Sequence, residues 1–140
     1  GKKLTIAYSA PSARGRKIMG ALVPYGRVWR TGADNATGFQ TDADLVLGGE
    51  TGGLKVPKGN YTIYSLPGAN EWQLIINKQT GQFGTEYDQA QDLGRVKMTM
   101  AQTSAPVERF KIELLSTGAK KGLLKMTWER TEVSVPITVQ

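Results

Sequence analysis

Cysteine and histidine are both absent from this chain, and the two absences together exclude much of enzymology. Without a thiol there is no disulfide, no thiolate nucleophile, no iron–sulfur cluster and no cysteine-based zinc site. Without an imidazole there is no Ser-His-Asp or Cys-His catalysis, no histidine metal site, and no side chain whose ordinary pKa lies near neutrality. Any general acid or base has to be a carboxylate, a lysine or a tyrosine with a shifted pKa. A cysteine-free chain is compatible with reducing and oxidising compartments alike. Long apolar runs are lacking too. None approaches the roughly 20 residues that a helix needs to cross a bilayer, so membrane insertion is not expected. No cofactor and no metal site is read from the sequence. Calcium could use oxygen ligands alone, but the spacing of Asp34, Asp42 and Asp44 matches no EF-hand loop.

Acidic residues are missing from the first quarter of the chain. Lys2, Lys3, Arg14, Arg16, Lys17, Arg27 and Arg30 all precede the first carboxylate, Asp34, so residues 1–33 carry a formal charge of +7. The whole chain has 18 basic and 12 acidic side chains, a net charge of +6, so the remainder is nearly neutral. Residues 8–37 also hold Tyr8, Tyr25 and Trp29, together with Pro11, Pro24 and the glycines Gly15, Gly20, Gly26 and Gly32. They follow neither a helical nor a strand period for long. Arginine offers a planar fork of donors to carboxylates and phosphates, and aromatic faces stack on rings and guanidinium groups. Two readings stay open for this segment. It is a ligand site, or it plugs the open end of a sheet sandwich while its arginines pair with carboxylates elsewhere.

Two more specific readings fail on the residues. Gly15-Arg16-Lys17-Ile18-Met19-Gly20 has the glycines of a phosphate-binding loop, but Ala21-Leu22 stands where the lysine and the magnesium-binding hydroxyl are required. A nucleic-acid surface is not expected either, for the strands show mixed charge and no paired aromatic signature. Asn35-Ala36-Thr37 and Asn60-Tyr61-Thr62 match a glycosylation acceptor pattern but read better as turn residues. Glu86, Asp88 and Asp92 form an acidic loop; placed across a groove, two carboxylates would suit a glycan hydrolase.

Beyond residue 44 the pattern is one of short strands and turns. Val133, Val135, Ile137 and Val139 alternate with polar residues and with Pro136, which predicts a half-buried strand with an edge or bulge at the proline. The same alternation runs through Arg95 to Met100, Phe110 to Leu114 and Leu124 to Trp128. Turn signals at Pro57-Lys58-Gly59-Asn60 and Pro67-Gly68-Ala69-Asn70 bracket a strand over residues 61–66, and another follows over 71–77. Residues 44–47 and 54–56 read as short strands around a glycine-rich loop, and Leu4, Ile6 and Tyr8 as a first strand. A short helix is expected only within residues 15–23 or 87–93. The fold class is therefore all-β: one domain over residues 1–140, a single antiparallel β-sandwich of about nine strands, jelly-roll-like as one arrangement, with a long irregular N-terminal segment.

Tyr8-Ser9-Ala10-Pro11-Ser12, Leu22-Val23-Pro24-Tyr25-Gly26 and Val28-Trp29-Arg30-Thr31-Gly32-Ala33 resemble a bacterial family catalogued as domain of unknown function 2911. The likeness continues through residues 57–68, Glu71-Trp72, Ile76-Asn77-Lys78 and Gly84, and ends near Val135-Pro136-Ile137. It departs at Met19, Asp34 and Phe83, where the family commonly has an aromatic residue, an asparagine and a tryptophan. The resemblance implies an exported protein, periplasmic or secreted, and supplies no activity.

The functional expectation is a non-enzymatic binding module for a small anionic or carbohydrate ligand. Arg14, Arg16 and Arg30 would supply charge-assisted hydrogen bonds, Tyr8, Tyr25 and Trp29 stacking walls, and Asp34 or Asn77 orientation. The alternatives are a structural or interaction domain of the cell envelope, in which the same segment only locks the fold, and a carboxylate-dependent glycan hydrolase. The sequence leaves the oligomeric state open.

Overall fold

A computed structural model describes residues 3–33, 35–49, 53–81 and 86–140 and contains a single antiparallel sheet of eight strands. They are β1 (Leu4–Ala7), β2 (Thr37–Thr41), β3 (Leu45–Leu47), β4 (Leu54–Val56), β5 (Gly59–Leu66), β6 (Trp72–Asn77), β7 (Asp92–Gly118) and β8 (Lys121–Val139). Their order in the sheet is β1-β2-β5-β6-β7-β8-β3-β4. The strands β5 to β8 thus run as a plain meander, into which the β3–β4 hairpin is inserted from earlier in the chain. A jelly roll does not describe this order.

The sheet is folded over on itself rather than closed into a barrel. β7 pairs with β6 as far as Met98, opposite Trp72, and from Thr99 onward with β8. One strand therefore belongs to both layers of the sandwich. The far edge of the sheet returns over the start of β7. A Cβ on Gly94 would lie 2.5 Å from Leu54 Cδ1, and one on Gly48 2.7 Å from Val96 Cγ2. The two layers close on one apolar cluster, to which β3 and β4 bring Leu45, Leu47 and Val56, β6 and β7 bring Trp72, Leu74, Ile76 and Met98, and β8 brings Val133 and Val135.

Two differences from the sequence reading have physical causes. The four alternating runs between residues 95 and 139 form two long bent strands, not four short ones. Pairing of β7 with β8 persists through register shifts at Gln102/Val107 and Val107/Lys111, and Glu129 takes a left-handed φ of 55°. Such irregularities bend a strand without ending it. In turn β2, absent from the sequence reading, has a single large apolar residue, Phe39, which is buried between Thr37 and Thr41. Pro136 lies neither on an edge strand nor at a bulge, since β8 runs between β7 and β3, but where pairing ends. Gly48 donates to its carbonyl at 2.9 Å, no N–H is available in return, and the β3–β8 ladder stops at Leu47 opposite Ile137. The short helix is a 3-10 turn over Gln89–Gln91.

Candidate functional site

The N-terminal segment is irregular, as its sequence suggests, but it is tied to the sheet at defined points. Ser12 bridges to Arg109 of β7, and Trp29 to Ser65 of β5. At the second bridge the Trp29 and Ser65 backbones exchange hydrogen bonds of 2.8 and 3.0 Å. Just beyond it lies Thr31, fully buried, with φ at 59°. A left-handed conformation is unusual for a β-branched residue and costs about 1–3 kcal/mol. Three contacts hold it: its hydroxyl meets Ser65 Oγ and donates to the Trp29 carbonyl at 3.2 Å, and its carbonyl accepts from Thr37 Oγ1 at 2.7 Å. Gly32 follows with φ 152°, so close to the Ser9 carbonyl that a Cβ would lie 3.0 Å from it. The run Trp29-Arg30-Thr31-Gly32 is thereby fixed in one shape, and Arg30 is aimed out of it.

Trp29 itself is 7% exposed. Its ring centroid lies 5.0 Å from Phe110, 6.2 Å from Trp72 and 6.1 Å from Trp128, the last nearly parallel. It is part of the core, and its outer side also forms one wall of an open cleft of about 610 Å³. The cleft is lined further by Leu22, Pro24, Val28, Arg30, Tyr64 and Tyr87. Arg30 is half-buried there. Its Nε donates to the Gly32 carbonyl at 3.2 Å, and among the described residues no carboxylate pairs with its guanidinium. Among the described residues, the terminal nitrogens have no protein acceptor.

The opposite wall is built by a hydrogen-bonded loop. Tyr64 is fully buried on the face of β5 turned away from the main core, and Tyr87 packs on it with ring centroids 4.6 Å apart. Asn77, buried at the end of β6, donates to the Asp88 carbonyl at 3.0 Å and to Asp92 Oδ1 at 2.9 Å, and accepts from the Gln79 N–H at 2.8 Å. Asp92 Oδ2 then accepts the Tyr87 phenol at 2.6 Å, while Arg95 pairs with that carboxylate at 3.5 Å. Burial, and next the hydrogen bond given to Asp92, push the Tyr87 phenol up to about 12. It stays a neutral donor across physiological pH.

The segment's other candidates are dispersed. Arg14 and Arg16 are exposed on one turn. The Arg14 N–H donates to Glu108 Oε2 at 2.9 Å, and the Arg16 guanidinium folds back on the Ala13 and Ser12 carbonyls. Tyr25 is exposed and lies over Gly20, whose Cβ would come 3.2 Å from its ring. Tyr8 stands edge-on to Phe110 at 5.8 Å, and its hydroxyl accepts the Ile112 N–H at 3.1 Å. It borders a different concavity, with Arg109 and Lys111. Asn77 orients a loop of the protein, and Asp34 lies outside the described residues. Among the described candidates, only Trp29 and Arg30 share the cleft. Its partners Leu22, Pro24, Val28, Tyr64 and Tyr87 were not named from sequence. Leu22, Pro24 and Val28 sit in the flagged segment, whereas Tyr64 reads as one more strand residue and Tyr87 is hidden in an acidic loop.

Among known proteins, the family model described as protein of unknown function, DUF2911, matches residues 1–137. No curated protein and no solved structure matches the chain.

Proposed function

The chain belongs to the DUF2911 family, proteins of unknown function, and from its own residues we propose that it is a non-enzymatic binding module whose cleft takes a small ligand with one anionic group on a flat, largely apolar body. The observation that carries this reading is Arg30, set between the hydrogen-bonded Trp29 and the left-handed Thr31 and left, among the described residues, with no carboxylate on its guanidinium in an open cleft. An unpaired, partly desolvated guanidinium is a ready partner for a carboxylate or phosphate. Trp29 and Tyr87, the latter packed on the buried Tyr64, supply ring surface beside it, and Leu22, Pro24 and Val28 an apolar rim. Binding is favoured over glycan hydrolysis because Asp88 and Asp92 are engaged in holding the loop. The reading includes a bacterial, exported setting, periplasmic or secreted, which rests on the family resemblance.

Trp29 borders the cleft, so binding is readable in intrinsic fluorescence. Phenyl phosphate and benzoate are expected to shift the tryptophan emission and raise Tm in the wild type. Arg30→Gln is expected to weaken that binding at least about tenfold, the loss of one charge-assisted hydrogen bond, with a folded, cooperative melt. Equal binding by the variant, or no binding of any aromatic anion at about 10 mM, would sink the proposal. The second reading, a cell-envelope interaction domain locked by the same segment, is favoured by the burial of Trp29 among Trp72, Phe110 and Trp128 and would then take its place.

A further inference from the structure

The face of β1, β2 and β5 turned away from the core carries a separate concavity of about 430 Å³. Its rim presents the hydroxyls of Thr5 and Thr80 and the amides of Asn35, Gln40 and Asn60. Among the described residues no Asp, Glu, Lys or Arg lines it, in a chain of which 21% is charged. That described lining offers an ion no charged partner, and Ala7, Ala36 and Phe39 add apolar surface between the polar groups. Asp42 accepts from Gln40 Nε2 at 2.6 Å, which fixes the plane of that amide.

The floor is Gly38, at the centre of β2 and paired on its two sides with Ala7 and Thr62. A glycine inside a strand weakens it, through backbone entropy and the missing side chain. Packing does not require this one. Among the described residues, a Cβ at position 38 would meet nothing nearer than the Ala7 carbonyl at 3.9 Å and the Ala7 Cβ at 4.0 Å, both ordinary contacts, and its φ is not left-handed. What the missing side chain provides is the groove itself, open down to the backbone. A volume of this size is within the range of small-ligand sites.

We propose that this groove binds a neutral polyhydroxylated ligand, a short uncharged oligosaccharide, through amide and hydroxyl hydrogen bonds over the bare backbone at Gly38. Amides both donate and accept, as sugar hydroxyls do. The inference is independent of the Arg30 cleft.

The probes are neutral di- to tetrasaccharides of glucose and of N-acetylglucosamine, titrated to about 10 mM and followed by amide NMR. Shifts are expected at Gly38, Gln40, Asn60 and Thr80. Gly38→Val places a strand-favouring side chain in the open groove, so the thermal midpoint should hold or rise while affinity falls at least about tenfold. Arg30→Gln should bind these sugars as the wild type does. Asn60→Ala, an exposed change, gives the same readout should the valine variant fail to fold, and is expected to weaken binding severalfold. The proposal is overturned by an absence of shifts with every probe, by shifts centred on Arg30 and Tyr64, by Gly38→Val or a folded Asn60→Ala binding like the wild type, or by an equal preference for uronate-containing sugars.

Discussion

Arg30 and Tyr87 reach the cleft for different reasons, and only one reason is local in sequence. Arg30 follows from its neighbours: Trp29 pairs with Ser65, Thr31 accepts a left-handed φ of 59°, and Gly32 admits the Ser9 carbonyl. The dense run of special residues was visible in the chain. Tyr87 is placed by Asn77 and Asp92, whose roles depend on a loop folding back on β6. Its titration tests that placement. The folded state holds a phenolic proton up to about pH 12, against 10.0 for an ordinary tyrosine. The stabilisation is therefore fully present below pH 10 and is lost as the pH rises from 10 toward 12. In a spectrophotometric alkaline titration the wild type should show a late phase, to which Tyr61, also raised by burial, contributes. Its amplitude should shrink by one tyrosine in Tyr87→Phe; an unchanged amplitude would show that Tyr87 does not belong to it.

At the level of strands, periodicity was enough where one face is apolar and the other polar. Together with the turn signals that bracket β5, it found β1, β3, β4, β5 and β6 to within a residue or two. It failed for β2, because burial there falls on Thr37 and Thr41 as much as on Phe39, and threonine does not announce a buried position. It also divided β7 and β8, because alternation lapses around the register shifts at Gln102/Val107 and Val107/Lys111 and around Glu129, although pairing resumes beyond them. The small residues that let the two layers meet were likewise silent. Gly94 is contacted by Leu54 across the fold, and nothing near either residue predicts the approach. Gly94→Val should therefore push β4 off β7 and destabilise the protein by about 1–3 kcal/mol, read as a lower urea midpoint at unchanged m. A neutral effect would mean that β4 can leave without cost.

Over the whole molecule, no ion pair among the described residues draws on the basic side chains of residues 3–33. The pairs among the described residues are Arg95–Asp92, Lys97–Glu71, Lys111–Glu113 and Lys125–Glu132, all outside the segment. Arg14, Arg16 and Lys17 stay exposed on one turn. Adding salt should then relieve repulsion more than it breaks attraction. Tm is expected to rise by a few degrees at most between low salt and about 0.15 M sodium chloride. A clear fall would mean that ion pairs, and not hydrogen bonds and the aromatic cluster, fasten the segment.

By itself, the sequence determined the chemistry on offer. No thiol or imidazole is present, the cationic surplus lies at one end, most strands are marked by alternation and turns, and one stretch is rich in arginine, aromatics and glycine. Those are properties of residue types and of spacing along the chain. Tertiary structure alone decided which of these residues act together. It separated Tyr8, Arg14, Arg16 and Tyr25 from Trp29 and Arg30, turned Asn77 inward to hold a loop, and brought Tyr64 and Tyr87 to the arginine. It also exposed Gly38 as the floor of a groove. The reason is physical: a concavity is formed by surfaces distant along the chain, and its shape follows from how the sheet folds over and where the loops are fastened to it.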